Sequence, residues 1–194
     1  PSFLKFGLGA FLGGHRVQRL IMSDKTFIDF IGRYKHRPVE FVQDVLKQTP
    51  DPWQASLMIA AIPKNDYHPE SGQRLCAVKS GHGVGKSTCA AWIAIHNIVC
   101  YYPQKTVITA PTSSQLFDAL FAELKSQLTR LPPVIRNLFE TYSDRITLKS
   151  DPSGSFISCR TSRKETPEAL QGTHSDRTLL LVDEASSIDN AVID

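Results

Sequence analysis

The residues with the clearest chemical potential are Ser80-Gly81-His82-Gly83-Val84-Gly85-Lys86-Ser87-Thr88 and, about a hundred residues later, Asp183-Glu184. Gly81, Gly83 and Gly85 alternate, and a helical apolar pattern begins directly behind them. A backbone this open lets several N–H groups converge on one anion, and a helix N-terminus adds a favourable dipole. Lys86 adds one ammonium that can reach the β- and γ-phosphates of a nucleoside triphosphate, and the Ser87 hydroxyl can ligate Mg²⁺. The spacing follows the phosphate-loop pattern G-x-x-x-x-G-K-[ST], except that Ser80 stands where its first glycine belongs. The competing reading is a Gly-rich turn before a helix that carries a surface lysine.

The two acids complete the chemistry. A run of apolar residues, Leu179 to Val182, predicts a buried strand, and Asp183 leaves it at the C-terminal end, where ligands bind in open α/β sheets. There Asp183 would hold Mg²⁺, directly or through water, and Glu184 would orient and deprotonate an attacking water. Two adjacent acids are also what a plain solvated strand end looks like. Their pairing with an upstream phosphate loop favours the chemical reading.

The elements that must position these residues are legible as local signals. A short helix is predicted from Ser23 through Tyr34. A second starts with Pro38 in its first turn, with Val42, Val45 and Leu46 on one face. A third takes Asp51 as cap and Pro52 in the first turn. The segment RLCAVK, 74–79, predicts the first strand, and the glycine loop follows it. The helix behind the loop should run to about Tyr101, and KTVITA, 105–110, predicts a second buried strand. Leu116, Leu120, Leu124 and Leu128, spaced by four, mark a long amphipathic helix. Residues 145–160 read as a hairpin around Asp151–Gly154. Strands alternating with helices predict an α/β fold with a mostly parallel sheet.

Composition narrows the partners. The chain has 194 residues, 41% of them hydrophobic, enough for one domain with a real core. No run of about 18 apolar residues is present, so no membrane-spanning helix is predicted. Net charge is +3, but residues 1–21 carry Lys5, Arg16 and Arg19 and no acid; removing those three from the 22 Lys and Arg leaves 19, matching the 19 acids. Bulk charge therefore makes no case for a DNA-coating protein, and any nucleic-acid contact must be local. Cys76, Cys89, Cys100 and Cys159 form no C-x-x-C pair and read as buried, reduced thiols of a cytosolic protein. The apolar, Gly-rich segment 1–21 precedes Met22, which has the look of a natural start. It reads as an upstream or vector-derived tail, with a signal peptide as the rival.

The ordered set DPWQ (51–54), SGHGVGKST (80–88), VITAPTSSQ (107–115), EALQGTHSD (168–176) and LLLVDEAS (179–186) resembles the ATPase domain of the large terminase subunit of tailed bacteriophages and prophages, over roughly residues 35–194. The resemblance implies a P-loop NTPase of the ASCE type, RecA- and helicase-like. Its fold would be a three-layer αβα sandwich with small helices in front. Residues 22–70 would be the helical lead-in carrying the adenine-binding motif, and 71–194 the ATPase core. It implies ATP and Mg²⁺, with hydrolysis driving double-stranded DNA into a procapsid. The implied partners are the portal protein and the small terminase subunit, with a homo-oligomeric ring and the bacterial host cytoplasm as setting. Gln54 matches the adenine-reading glutamine. Trp53 would pack near the base or in the core. Thr109 to Thr112 would couple nucleotide state to DNA grip or form a plain loop.

Two departures leave the catalytic arginine open. His82 stands where many terminases carry an arginine within the loop. Gln171 stands where many carry one before the glycine, here Gly172. Arg160, Arg163 and Arg177 are the candidates, each also readable as a surface or DNA-facing cation; His82 and His174 read as polar loop residues. The resemblance further implies a strand after Asp183 that lies between the loop strand and the acid-bearing strand, then a nuclease domain. Both are expected beyond Asp194, so the ATPase core is expected to be incomplete here and these 194 residues alone to turn over little ATP. Two other functions stay open: a helicase-like DNA-dependent ATPase, and an inactive prophage remnant that at most binds nucleotide.

Overall fold

The most buried element is the helix behind the glycine loop. In a computed structural model of the chain, which describes residues 24–62, 76–79, 81, 83–161 and 177–183, this helix spans Lys86–Cys100 and every residue from Ala91 to Cys100 is buried. A helix without a polar face must be covered all round. Three small helices cover part of it: α1 (Asp24–Tyr34), α2 (Pro38–Asp44) and α3 (Pro52–Ala61). With the loop helix as α4, further cover comes from a π-helical segment, Ser114–Phe121, and its continuation α5, Ala122–Thr129. The prolines expected at the starts of α2 and α3 are there, where a missing N–H costs nothing.

The π-helical segment is a departure from the expected regular helix, and leucine spacing gives a reason. In an α-helix, residues four apart drift by about 40° per step. Leu116, Leu120, Leu124 and Leu128 would therefore spiral off one face. The wider i→i+5 winding of the first half counters that drift, and all four leucines are buried.

The sheet has five strands in the order β2-β3-β4-β1-β5. Its members are β1 (Lys105–Thr109), β2 (Phe139–Thr141), β3 (Arg145–Leu148), β4 (Phe156–Cys159) and β5 (Thr178–Val182); a short helix, α6 (Pro133–Arg136), precedes β2. Strands β4, β1 and β5 run parallel, while β2, β3 and β4 pair antiparallel. The expected hairpin is β3–β4: its turn is held by the Gly154 N–H donating to Asp151 Oδ1 at 2.9 Å. Strand β2 was not expected from the sequence.

Two expectations are corrected. Residues 76–79 form no strand and are exposed, so within the described residues the sheet lacks the predicted first strand, and Cys76 is exposed rather than buried. The apolar run of β5 predicts a buried strand, yet β5 is only half-buried, with Leu180 39% exposed. Among the described residues it pairs on one side only, with β1. The other three cysteines are buried, and burial pushes the Cys89 and Cys159 thiols up to about 12. Among the described residues no helix is long and apolar enough to cross a membrane.

Two buried polar groups on α4 tie its neighbours together. Trp92 Nε1 donates to Gln48 Oε1 at 2.7 Å and to Gln127 Oε1 at 3.2 Å, so one indole N–H joins the α2–α3 connection to α5. Replacing Trp92 by Phe should leave two amide oxygens short of a donor and cost about 1–3 kcal/mol. Urea denaturation reads this; a change below about 0.5 kcal/mol would mean that the ring alone matters.

His96 is fully buried among Tyr34, Phe41 and Tyr101. Its Nε2 donates to the Tyr34 carbonyl at 2.9 Å, since a carbonyl can only accept, and Nδ1 has no hydrogen-bond partner among the described residues. Burial pushes the imidazole down to about 4 from the ordinary 6.5. Between those values the unfolded chain binds the extra proton. His96 therefore contributes full stability above pH 6.5 and progressively less as pH falls to about 4, in total about 3 kcal/mol. The difference in stability between pH 7 and pH 4.5 should shrink in H96F; an equal difference in both proteins would assign the acid sensitivity to carboxylates.

Candidate functional site

The loop before α4 has the backbone its sequence calls for. Gly83 and Gly85 have φ of +76° and +85°, the left-handed region that disfavours any side chain. Gly85 is the N-cap of α4, and its carbonyl accepts the Cys89 N–H at 3.0 Å, the first bond of the helix. Lys86 opens α4 and its Nζ donates to the Gly81 carbonyl at 3.1 Å, closing the loop on itself. Ser87 and Thr88, in the first turn, are half-buried, and Val84 is exposed at the loop tip. Ser80 and His82 lie outside the described residues.

Gln54 reaches this loop from α3. Its Oε1 accepts the Asp51 N–H at 2.8 Å and its Nε2 donates to the Gly85 carbonyl at 3.0 Å. Asp51 and Gln54 thus stand as cap and third residue of α3, the D-x-x-Q form of a capping box. Trp53 is half-buried and packed against the core.

The C-terminal edge of the parallel strands gathers a second group. The β1–β5 register places Thr109 beside Val182, and the Asp183 N–H donates to the Thr109 carbonyl at 2.9 Å, so Asp183 extends the ladder by one step. The Arg160 N–H donates to the Ile108 carbonyl at 2.9 Å, which brings Arg160 to the same edge from β4. Thr109 is fully buried, and its hydroxyl has no hydrogen-bond partner among the described residues. Thr112 caps the π-helical segment: its Oγ1 accepts the Gln115 N–H at 3.2 Å and donates to Gln115 Oε1 at 2.9 Å. Helix α4 packs on β1 and enters it through the short connection 101–104. It must run back along the strand, so its N-terminus and the glycine loop point toward this same edge.

Arg177 is not brought there. It precedes β5 at the opposite end, six residues from Asp183, or about 20 Å along an extended chain. Its guanidinium lies 4.3 Å from the centre of the Tyr101 ring. Glu184, Arg163, Gln171 and His174 lie outside the described residues. Among the described residues no three His, Cys, Asp or Glu side chains cluster as a metal centre. A magnesium site needs less protein than that, because one or two carboxylates suffice when substrate phosphates supply the remaining ligands. Sequence reasoning missed the link between Gln54 and Gly85. The signal for half of it, Asp51-x-x-Gln54, was present, but nothing in the sequence points from Gln54 to Gly85.

Residues 77–194 match the family described as RNA cytidine acetyltransferase NAT10/TcmA, helicase domain. Over 176 residues the chain is 27% identical to "Probable terminase, large subunit" of Enterobacteria phage P7, an alignment covering 88% of this chain and 33% of that protein. The chain thus spans about a third of the length of this relative. The resemblance to the large terminase ATPase, read from the ordered motifs, is borne out by that similarity.

Proposed function

Since the chain belongs to the family described as RNA cytidine acetyltransferase NAT10/TcmA, helicase domain, matched over 77–194, we propose that it is the ATPase part of a viral DNA-packaging motor of the large-terminase type. The match is to the helicase domain, and acetyl transfer is no part of the proposal. The observation that carries it is the left-handed glycine loop at the N-terminus of a buried helix, with the Lys86 ammonium bonded back to the Gly81 carbonyl.

In this reading the loop from Ser80 to Gly85 wraps the triphosphate with backbone N–H groups, and Lys86 exchanges its bond to the Gly81 carbonyl for phosphate oxygens. Ser87 and Asp183 would hold Mg²⁺, and Thr88 follows Ser87 in the first turn of the helix to meet the phosphates. The ion, when bound, neutralises charge on the β- and γ-oxygens. Glu184 takes the proton of the attacking water. Arg160 is the favoured charge-stabilising arginine because it shares the edge with Asp183; Arg163 remains a second candidate, while Arg177 sits at the far end. Double-stranded DNA is the substrate that is moved. The portal protein and the small terminase subunit are the partners, and a ring of subunits in the host cytoplasm is the working form.

The match to a helicase domain favours a second reading, a DNA-dependent ATPase that separates or remodels strands rather than packaging them. Both readings are tested on the full-length protein that contains this chain, by titrating ATP and Mg²⁺ and then measuring turnover with and without double-stranded DNA. Saturable, Mg²⁺-dependent ATP binding is expected, and stimulation by blunt duplex favours packaging. Stimulation by single strands alone would favour the helicase-like reading, and no ATP binding would remove both.

A further inference from the structure

Gln54 is 4% exposed, and both ends of its amide are engaged, by the Asp51 N–H and by the Gly85 carbonyl. The Gly85 carbonyl also accepts the Cys89 N–H, so its two lone pairs serve two different elements. One is bound by the first turn of α4 and the other by a side chain from α3. The approach is close: a Cβ at position 85 would stand 2.7 Å from Gln54 Nε2. A φ of +85° favours glycine at 85, and a Cβ there would also push the Gln54 amide aside. Cys89 Sγ lies 3.9 Å from the Gln54 carbonyl, so the backbone of Gln54 faces the same helical turn.

From this geometry we propose that Gln54 is a positioning residue for the glycine loop. Its amide sets the plane of the Gly85–Lys86 peptide, and with it the direction in which the loop's N–H groups and Lys86 face. Reading a base edge would require the same amide to leave its buried position and release both Asp51 and Gly85. The clamp therefore acts on nucleotides of any base alike. This consequence rests on the ATPase reading, whereas the clamp itself needs no nucleotide.

The test uses the full chain and two variants. Q54M keeps the volume and removes both polar ends; Q54E keeps the acceptor for Asp51 but, when ionised, offers no donor to Gly85. Hydrogen exchange of the Cys89 amide and the loop amides is measured without nucleotide, corrected for intrinsic rates. Both variants should exchange roughly 5- to 30-fold faster at pH 7, the effect of losing the bond to the Gly85 carbonyl, which keeps only the Cys89 N–H. In Q54E alone, protection should return as pH falls through its carboxyl titration, because the protonated acid can donate to Gly85. ATP and GTP affinities should fall by a common factor. Unchanged protection in both variants would overturn the proposal, as would lost preference for ATP over GTP with the loop still protected. If the wild-type chain bound neither nucleotide while loop protection still depended on Gln54, the ATPase reading would fall and the clamp would stand.

Discussion

Lys86→Ala is expected to abolish ATP hydrolysis in any form of the protein that contains this chain and turns over ATP, and to weaken nucleotide binding roughly 10- to 100-fold. Lys86 is the first residue of α4, and its ammonium already spans the loop to the Gly81 carbonyl at 3.1 Å. That position puts one positive charge directly behind two left-handed glycines, Gly83 and Gly85. No other residue of the loop carries a permanent charge. In the transition state of phosphoryl transfer, most of the help a protein can give is positioning and charge stabilisation, so one removed cation costs more in rate than in binding. The fold should survive the change, because Lys86 is only half-buried and a surface lysine is worth within about 0.5 kcal/mol. A thermal melt alongside the turnover assay separates the two effects. Near-normal turnover by K86A would sink the phosphate-loop assignment and leave a Gly-rich turn before a helix.

The second large effect separates the two acids. Glu184→Gln should keep ATP and Mg²⁺ binding and lose roughly 10²–10⁴-fold in turnover, because an amide cannot accept the proton of the attacking water. Asp183→Asn should instead raise the Mg²⁺ concentration needed for ATP binding. The assignment of Asp183 stands on its place at the end of β5, where its N–H is held by the Thr109 carbonyl at the edge that the loop helix also points to. Magnesium titrations of both variants, followed by single-turnover measurements, check the division of labour. Wild-type turnover by E184Q would make another acid the base, and an unchanged Mg²⁺ requirement in D183N would take Asp183 out of the metal site.

Much of the local structure was legible in the sequence, because its causes are local. Pro38 and Pro52 start helices through their fixed φ and missing N–H. Asp151 to Gly154 turn a hairpin through a side-chain bond three residues long, and the apolar run after the glycines makes a buried helix. The backbone of the loop was legible for the same reason: the left-handed glycines and the lysine that opens the helix stand within a few residues of each other. What sequence alone misjudged involves neighbours far along the chain. An apolar run such as 179–182 states that burial is wanted, but only pairing decides how much is obtained, and β5 has β1 on one side and no described strand on the other. Residues 76–79 belong to a segment that reads as a strand and yet are exposed, with no described strand beside them to accept their hydrogen bonds.

The sequence by itself determined the parts of the proposed nucleotide site: glycines that open the backbone, a cation at a helix start, acids at a strand end, and a glutamine capping the helix before them. Only the tertiary structure decided how those parts are arranged. It set Asp183 and Arg160 on one edge and Arg177 on the other, because parallel strands carry their C-terminal residues to a common side. It also turned the Gln54 amide from a free recognition group into a bond on Gly85, since a carbonyl lone pair is claimed by whatever donor the fold brings within 3.0 Å, and no spacing along the chain encodes that meeting.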